Sequence, residues 1–154
     1  MNKHQIALFA SSKSDDWETP KRLYDELNEE FQFDFDPCPL HSTYDGLSCI
    51  WGRRAFVNPP YSKVTLFLKK AWEEIEVGHT DVAVFLLFAK TDTKWFHQYL
   101  HHRSEIRFLK GRLAFNRHSS KPVSNSMHPS MVCILRTRRK IIYTYRQKNS
   151  IFLF

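Results

Sequence analysis

The residues with the clearest chemical potential are Asn58, Pro59, Pro60 and Tyr61, which directly follow the apolar run 55–57. We interpret that run as a short strand, so the four residues are expected at its carboxyl end, where open α/β sheets bind ligands. Two consecutive prolines fix φ and remove two backbone donors, which makes the turn stiff. The carbonyls of Asn58 and Pro59 are therefore expected to be available as acceptors for a substrate amine.

This set suits the attack of an exocyclic amine on an electrophilic methyl group. The amino nitrogen of adenine or cytosine is a poor nucleophile because its lone pair is delocalised into the ring. Acceptors at its two hydrogens, here the Asn58 side-chain oxygen and the Pro59 carbonyl, favour a pyramidal nitrogen whose lone pair points at the methyl donor. Tyr61 is expected to stack on a base extruded from the helix. The alternative for the tetrapeptide alone is an ordinary turn with a half-buried tyrosine.

Three further blocks accompany this motif. They are DDWETP at residues 15–20, FDFDPCP at 33–39 and LLFAKTDTKWFH at 86–97. In their order and spacing, the four blocks resemble the phage-type DNA N6-adenine methyltransferase family, the Dam-like enzymes of bacteriophages and prophages. The resemblance runs from about Asp15 to Leu135. The Asn-Pro-Pro-Tyr signature alone is shared with glutamine and RNA methyltransferases.

The resemblance implies site-specific transfer of a methyl group from S-adenosylmethionine to the N6 amine of a flipped adenine in double-stranded DNA. The catalytic residues that it implies are Asn58, Pro59, Pro60 and Tyr61. The cofactor-binding residues that it implies are Trp17, Thr19, Pro20, Asp36, Pro37, Asp45 and Asn58.

The part of the chain before Asn58, the half that is expected to bind the cofactor, departs from the pattern of a full-length methyltransferase. The glycine-rich turn that usually follows the first strand is absent, and residues 36–39 stand in its place. Asp36 and Asn58 are 22 positions apart, which is too short for a complete strand-helix-strand-helix passage. We therefore expect part of this half to be trimmed or replaced by a loop.

By resemblance, Trp17, Thr19 and Pro20 match the block that lines the methionine end of the cofactor, and Asp36 matches the acidic residue after the first strand. Asp45 is a candidate to hold the adenine amine of the cofactor. Each has a structural alternative: Trp17 as a core anchor, Thr19 as a helix cap, and Asp45 as a turn residue before Gly46.

The charge is distributed unevenly along the chain. Residues 103–154 contain twelve Lys or Arg against one acidic residue, whereas residues 1–102 contain eleven basic and fifteen acidic residues. A basic carboxyl third fits a phosphate backbone. The alternative is a solvated basic face or a disordered tail. The candidate DNA contacts are Arg107, Lys110, Arg112, Arg117 and Lys121.

Periodicity and breakers predict the elements that position these residues. Helices are predicted over residues 20–30, 63–77 and 93–100, and strands over 31–36, 55–57, 82–88, 106–109, 112–115, 131–135 and, more weakly, 141–145. Thr19 is expected to cap the first helix, Gly78 to end the second, and Thr91 or Asp92 to cap the third. This order predicts a largely parallel sheet with antiparallel strands at one edge. With the resemblance, it implies an α/β fold built on a reduced Rossmann-like, S-adenosylmethionine-dependent methyltransferase sheet.

Composition predicts one domain, because 154 residues with 42% apolar and 15% aromatic content can bury one core. We expect a flexible arm over residues 1–14 and a single methyltransferase domain over 15–154. The three cysteines have no paired metal spacing and follow no secretory signal, and no apolar run is long enough to span a bilayer. A soluble protein in the cytoplasm of a bacterial host, encoded by a phage or prophage, is therefore expected.

Several residues near the motif are discounted. Cys38 is expected to be a small buried hydrophobe, His97 and His101 to be surface residues rather than metal ligands, and Trp95 and Phe96 to belong to the core.

Two other classes of function stay open: an RNA adenine or protein glutamine methyltransferase, and a DNA-binding relative that has lost catalysis. The basic carboxyl third argues against a protein substrate. Intact Asn58 and Tyr61 argue against lost catalysis.

Overall fold

A computed structural model of the chain describes residues 17–39, 42–117, 124–137 and 152–153. The strands are β1 (Trp17–Glu18), β2 (Arg54–Val57), β3 (Val82–Phe88), β4 (Glu105–Leu109), β5 (Ala114–Arg117), β6 (Ser124–Asn125), β7 (Ser130–Arg136) and β8 (Phe152–Leu153). The helices are α1 (Lys21–Phe31) and α2 (Val64–Glu76), a 3-10 turn (Tyr61–Lys63) and a π-helix (Phe96–Leu100). The predicted arm at 1–14 and the predicted strand at 141–145 lie outside the described residues.

The central sheet has the strand order β2-β3-β7-β4-β8. β2 and β3 are parallel, whereas β7 is antiparallel to both β3 and β4, so β2, β3 and β4 run in one direction. A parallel bridge between Phe35 and Ala55 extends the sheet beyond β2. The predicted largely parallel sheet is thus wrong for the described strands, because β7 separates two co-directional strands and makes most pairings antiparallel. The antiparallel pairings are also not confined to one edge, contrary to the prediction, because β7 lies in the middle of the strand order.

Helices cover both faces of this sheet. The continuous apolar sequences of β3 and β7 are buried on both faces, which is typical of strands between two helical layers. Phe85 and Leu87 of β3 pack with α2 and the π-helix, and Val84 and Leu86 pack with α1. The sheet is therefore the middle layer of an α/β arrangement with two separate apolar cores.

Helix α1 begins immediately after Pro20 and buries Leu23, Leu27 and Phe31, the spacing that predicted it. Gln32 adopts a left-handed conformation (φ 52°) that ends the helix. The strand predicted from Phe31 is therefore wrong at its start, and only Phe35 forms a bridge to β2. The predicted Thr19 cap is also wrong, because the helix has no side-chain cap.

The third predicted helix differs in kind from the one expected. Residues 96–100 form a π-helix, and the Thr93 hydroxyl accepts a hydrogen bond from the Phe96 N–H at 3.4 Å. The N-cap residue of this helix is Trp95 and has no side-chain cap, so the cap predicted for Thr91 or Asp92 is wrong.

A second, smaller sheet has the order β1-β5-β6. Trp17 pairs with Arg117, and Glu18 with Asn116, so the first sequence block lies beside the basic carboxyl third. β5 begins at Ala114, two residues later than predicted, which leaves Arg112 in the turn after β4.

Arg107 joins α1 to the edge of the large sheet. Its side chain is 8% exposed. Its two terminal nitrogens donate to the Glu30 carboxylate at 2.6 and 2.7 Å, and its Nε donates to Glu105 at 2.7 Å. The guanidinium also lies over the ring of Phe31. The Arg107 charge is thus matched by two carboxylates inside the fold, and its contact with DNA phosphates stays a prediction.

Replacement of Arg107 by Ala is expected to destabilise the fold by about 1.5–3 kcal/mol, the range for hydrogen bonds to charged groups. The matched control is Lys21→Ala, whose ion pair with Asp25 is exposed and is expected to contribute less than about 0.5 kcal/mol. Urea unfolding monitored by circular dichroism measures both. Equal losses in the two variants would contradict the structural role of Arg107.

Candidate active site

The candidate site lies along one edge of the large sheet. The carboxyl ends of the Phe35 segment, β2, β3 and β4 meet at this edge together with the start of β7, because β7 runs in the opposite direction. Following the strand order, the edge carries Asp36, Asn58, Lys90, His128 and Arg112. Three of these residues were singled out from the sequence, and Lys90 and His128 were not.

Asn58 is held by a residue of the first sequence block. Its Nδ2 donates a hydrogen bond of 3.2 Å to the Thr19 Oγ1, across 39 positions of sequence, and both side chains are half-buried. The Thr19 hydroxyl therefore bonds the Asn58 side chain instead of capping α1. In this orientation the Asn58 Oδ1 lies on the side of the amide away from Thr19.

The two prolines carry the chain out of β2 and into the 3-10 turn. Pro59 is buried, and the Pro60 carbonyl accepts a hydrogen bond from the Lys63 N–H at 2.8 Å. The turn therefore engages the carbonyl of Pro60, which follows the Asn58 and Pro59 carbonyls that the sequence singled out.

Tyr61 is fixed by Phe88 at the end of β3. The two rings are stacked, with centroids 3.9 Å apart and planes 9° apart. Burial raises the pKa of Tyr61, although a backbone hydrogen bond from Phe88 acts in the opposite direction. The hydroxyl is therefore protonated at neutral pH, and one face of the ring is covered by Phe88.

Asp36 follows the bridge residue Phe35 at the flank of the edge. Its Oδ1 accepts a hydrogen bond from the Cys38 N–H at 2.8 Å, and its backbone carbonyl accepts one from the Tyr44 hydroxyl. Burial raises the pKa of Asp36, because the carboxylate loses water that the single backbone donor does not replace. A hydrogen-bond donor or a cation beside this carboxylate would compensate for the lost hydration.

The loop after Asp36 is closed by Gly46. A Cβ at Gly46 would lie 2.0 Å from the Pro37 carbonyl oxygen, so only glycine allows the two backbones to approach this closely. The Trp51 indole N–H donates to the Gly46 carbonyl at 2.7 Å. A close backbone contact thus exists in this half, but it is made by Gly46 in the loop and not by a glycine-rich turn after the strand.

Asp45 is fully exposed and its carboxylate is used locally. It accepts hydrogen bonds from the Leu47 N–H at 3.0 Å and from the Ser48 hydroxyl at 2.8 Å. These two bonds lower the pKa of Asp45. The geometry fits the turn alternative that the sequence left open.

The remaining candidate residues are dispersed. Lys110 and Arg112 are exposed on either side of Gly111, which has a positive φ of 81°. The side chains of Trp17 and Arg117 are not described, and Lys121 lies outside the described residues. Pro20 lies at the start of α1, beside Thr19.

The sequence discounted Cys38, Phe96, His97 and His101 as functional residues. Burial and the Asp36 charge raise the pKa of the Cys38 thiol, so it is not a thiolate nucleophile. Phe96 is buried, whereas His97 and His101 are exposed. In the part of the chain that the structure describes, no group of three His, Cys, Asp or Glu side chains could hold a metal ion. None of the helices described is long and apolar enough to cross a membrane.

Comparisons with known proteins agree with the order of the sequence blocks. The family model described as DNA N-6-adenine-methyltransferase (Dam) matches residues 8–152. The chain is 28% identical over 142 residues to the DNA N-6-adenine-methyltransferase of Haemophilus phage HP1 (strain HP1c1), with 82% of each chain covered. It is 27% identical over 149 residues to the DNA N-6-adenine-methyltransferase of Escherichia phage T1, with 78% of this chain and 62% of that protein covered. No solved structure matches the chain.

The family model covers nearly the whole chain and includes every residue of the candidate site. The chain therefore belongs to the DNA N-6-adenine-methyltransferase (Dam) family.

Proposed function

We propose that this chain transfers a methyl group from S-adenosylmethionine to the N6 amine of an adenine flipped out of double-stranded DNA at a specific sequence. DNA adenine N6-methylation is the activity of the family to which the chain belongs. The proposal adds the methyl donor, the flipped base and the residues that act on them. The observation that carries it is the Asn58 amide, which is oriented by Thr19 at the end of β2 and followed by the stacked Tyr61.

Asn58 and Pro59 prepare the amine for attack. With Nδ2 directed at Thr19, the Asn58 Oδ1 is the atom that accepts one hydrogen of the N6 amine, and the Pro59 carbonyl accepts the other. Two acceptors draw the nitrogen toward a pyramidal geometry, in which its lone pair leaves the ring system. That lone pair would form the new N–C bond as the methyl–sulfur bond of the donor breaks, with a neutral thioether as leaving group and the loss of one amine proton. Because both acceptors are held before the base arrives, little reorganisation is needed during the reaction.

Tyr61 and Phe88 are proposed to form the stacking platform for the flipped base. Phe88 covers one face of the Tyr61 ring, so a base that stacks on Tyr61 uses the other face and extends the aromatic pile. Such stacking contributes about 1–3 kcal/mol per base, which offsets part of the cost of unstacking.

The site fits S-adenosylmethionine at its Asp36 flank. This donor supplies an electrophilic methyl group on a positively charged sulfur and carries hydroxyl and ammonium donors. A half-buried carboxylate with a raised pKa favours such a partner. Pro37 directly follows Asp36, Pro20 directly follows Thr19, and Asp45 is a weaker candidate because its oxygens are already bonded.

The alternatives from the sequence lose support. Family membership favours DNA over RNA or a protein glutamine, and the positioned Asn58 and Tyr61 favour an active enzyme. Both curated relatives are phage proteins. We propose that this chain likewise acts on DNA in the cytoplasm of a bacterial host.

The proposed function is tested by incubation of the protein with duplex DNA and methyl-labelled S-adenosylmethionine, followed by nucleoside analysis. The label is expected in N6-methyldeoxyadenosine. Asn58→Ala is expected to lower kcat by roughly a hundredfold or more, the typical effect of removing one preorganised polar group. Label in cytosine or protein, or near-normal turnover in the variant, would contradict the proposal.

Substitutions of Thr19 distinguish two roles that its position allows, which are orienting the Asn58 amide and contacting the cofactor. If its hydroxyl acts by orienting the Asn58 amide, Thr19→Val lowers kcat about tenfold and leaves the Kd for S-adenosylmethionine within about twofold, since one hydrogen bond contributes roughly 0.5–1.5 kcal/mol. Thr19→Ser keeps the hydroxyl and is expected to keep the rate. A rise in Kd with unchanged kcat would instead support the cofactor contact that the sequence suggested.

Asp36→Asn keeps the acceptor for the Cys38 N–H but removes the charge. It is expected to weaken S-adenosylmethionine binding by about 1.5–3 kcal/mol in calorimetric titration.

The pH dependence of Asp36 gives an independent readout in the cofactor-free protein. A raised pKa means that the ionised carboxylate costs stability at neutral pH, and that this cost disappears as the pH falls through the folded-state pKa. Thermal unfolding between about pH 7 and pH 4 should therefore show the wild type gaining stability relative to Asp36→Asn. Loss of folding in Asp36→Asn at neutral pH would show a structural role instead.

A further inference from the structure

A tight turn before β7 lies between the carboxyl ends of β3 and β4. The Ala89 N–H donates to the Pro129 carbonyl, and the Ser126 N–H donates to the Leu113 carbonyl, both at 2.8 Å. The Ser126 hydroxyl donates to the His128 carbonyl at 2.9 Å and accepts from the His128 N–H at 3.2 Å. These bonds hold the turn on both sides and at its centre, so the position of His128 is fixed by the backbone.

This turn places His128 between two basic residues. Lys90 follows the bonded Ala89, and Arg112 precedes the bonded Leu113. Partial desolvation lowers the pKa of His128, and the positive charges of Lys90 and Arg112 lower it further. All three side chains are exposed, so they are accessible to a ligand in solution.

The cluster of Lys90, His128 and Arg112 adjoins the proposed base platform. The His128 ring centroid lies 5.2 Å from that of Phe88, which is itself stacked on Tyr61. A nucleotide whose base stacks on Tyr61 carries its own phosphates, which connect it to the rest of the strand. The cluster is therefore close enough to the platform to meet the backbone on either side of that nucleotide.

We propose that Lys90, His128 and Arg112 form a phosphate-binding site that holds the DNA backbone beside the flipped nucleotide. The identity of the ligand as DNA rests on the proposed function. The site itself rests on three donors brought together by three different segments of the chain. An anion bound between Lys90 and Arg112 offsets the positive charges that lower the pKa of His128. The His128 ring can then take up a proton and act as a third charged donor.

Among the described residues, the charged groups facing His128 are Lys90 from the end of β3 and Arg112 from the turn after β4. Tyr61 lies behind Phe88 and is protonated at neutral pH. Asp92, two residues after Lys90, is exposed. Because His128 takes up a proton when DNA binds, the pH dependence has a defined direction. DNA affinity should strengthen as the pH falls from about 8 to about 6, because the bound state holds the proton more tightly than the free state.

The test uses fluorescence anisotropy with a labelled mixed-sequence duplex over a series of KCl concentrations. Lys90→Gln and Arg112→Gln are each expected to make the log-log salt slope shallower by about 0.9, the value for one phosphate contact in duplex DNA. Lys69→Gln is the matched control, since Lys69 is exposed on α2 and pairs with Glu73. Its slope is expected to equal that of the wild type.

His128→Gln is expected to remove the strengthening of binding at low pH, whereas His97→Gln, a substitution of an exposed histidine on the π-helix, is expected to retain it. An unchanged salt slope in either Lys90→Gln or Arg112→Gln would overturn the proposal. So would a pH dependence that persists in His128→Gln.

The same samples separate this inference from the proposed function. If the wild type binds DNA with the expected dependence on these residues but methylates no adenine, the phosphate site stands and the proposed function fails. If the wild type methylates adenine but the three variants bind as it does, the proposed function stands and the phosphate site is wrong.

Discussion

The hydrogen bond between Asn58 and Thr19 joins the two sheets at the point where the candidate site is built. β1 pairs with β5 of the small sheet, α1 starts directly after Thr19, and β2 of the large sheet ends at Asn58. One contact therefore connects the first sequence block, the Asn-Pro-Pro-Tyr motif and the basic carboxyl third. It also holds the Asn58 amide, with Nδ2 toward Thr19, and the proposed chemistry depends on this placement.

The strand order along the site edge separates two kinds of charge. Asp36 lies at one flank, Lys90, His128 and Arg112 lie at the other, and Asn58 lies between them. A methyl donor with a positive sulfur is favoured beside the carboxylate, and a negatively charged DNA backbone is favoured beside the cations. In the proposed account, the two substrates meet at Asn58 because each is attracted to its own flank of the same edge.

The sequence predicted the parts of the fold that have strong local signals. The continuous apolar run at 82–88 is β3 at the residues predicted, and the spacing of Leu23, Leu27 and Phe31 gave α1 to within one residue. The sequence did not reveal that β7 enters between β3 and β4, because the direction of a strand depends on pairing and not on its own composition. Asn58 and Tyr61 were identified because the double proline is a local signal of a stiff strand end.

Contacts between distant positions explain the remaining differences. Thr19 has the local pattern of a helix cap, but its hydroxyl bonds a residue 39 positions away. Arg107 is a basic residue in a basic part of the sequence, the pattern of a DNA contact, but its guanidinium pairs with Glu30, 77 positions away. His128 acquires its surroundings only when the turn before β7 packs between two strand ends. No periodicity or propensity carries information of this kind.

A double-mutant cycle on kcat tests the central contact most directly. Methyl transfer by the wild type, Thr19→Val, Asn58→Ala and the double variant is measured with saturating substrates. If Thr19 acts through the Asn58 amide, the valine substitution slows the wild type but has no further effect once Asn58 is alanine. Slowing by the same factor in both backgrounds would show that the two residues act independently, and would contradict the account.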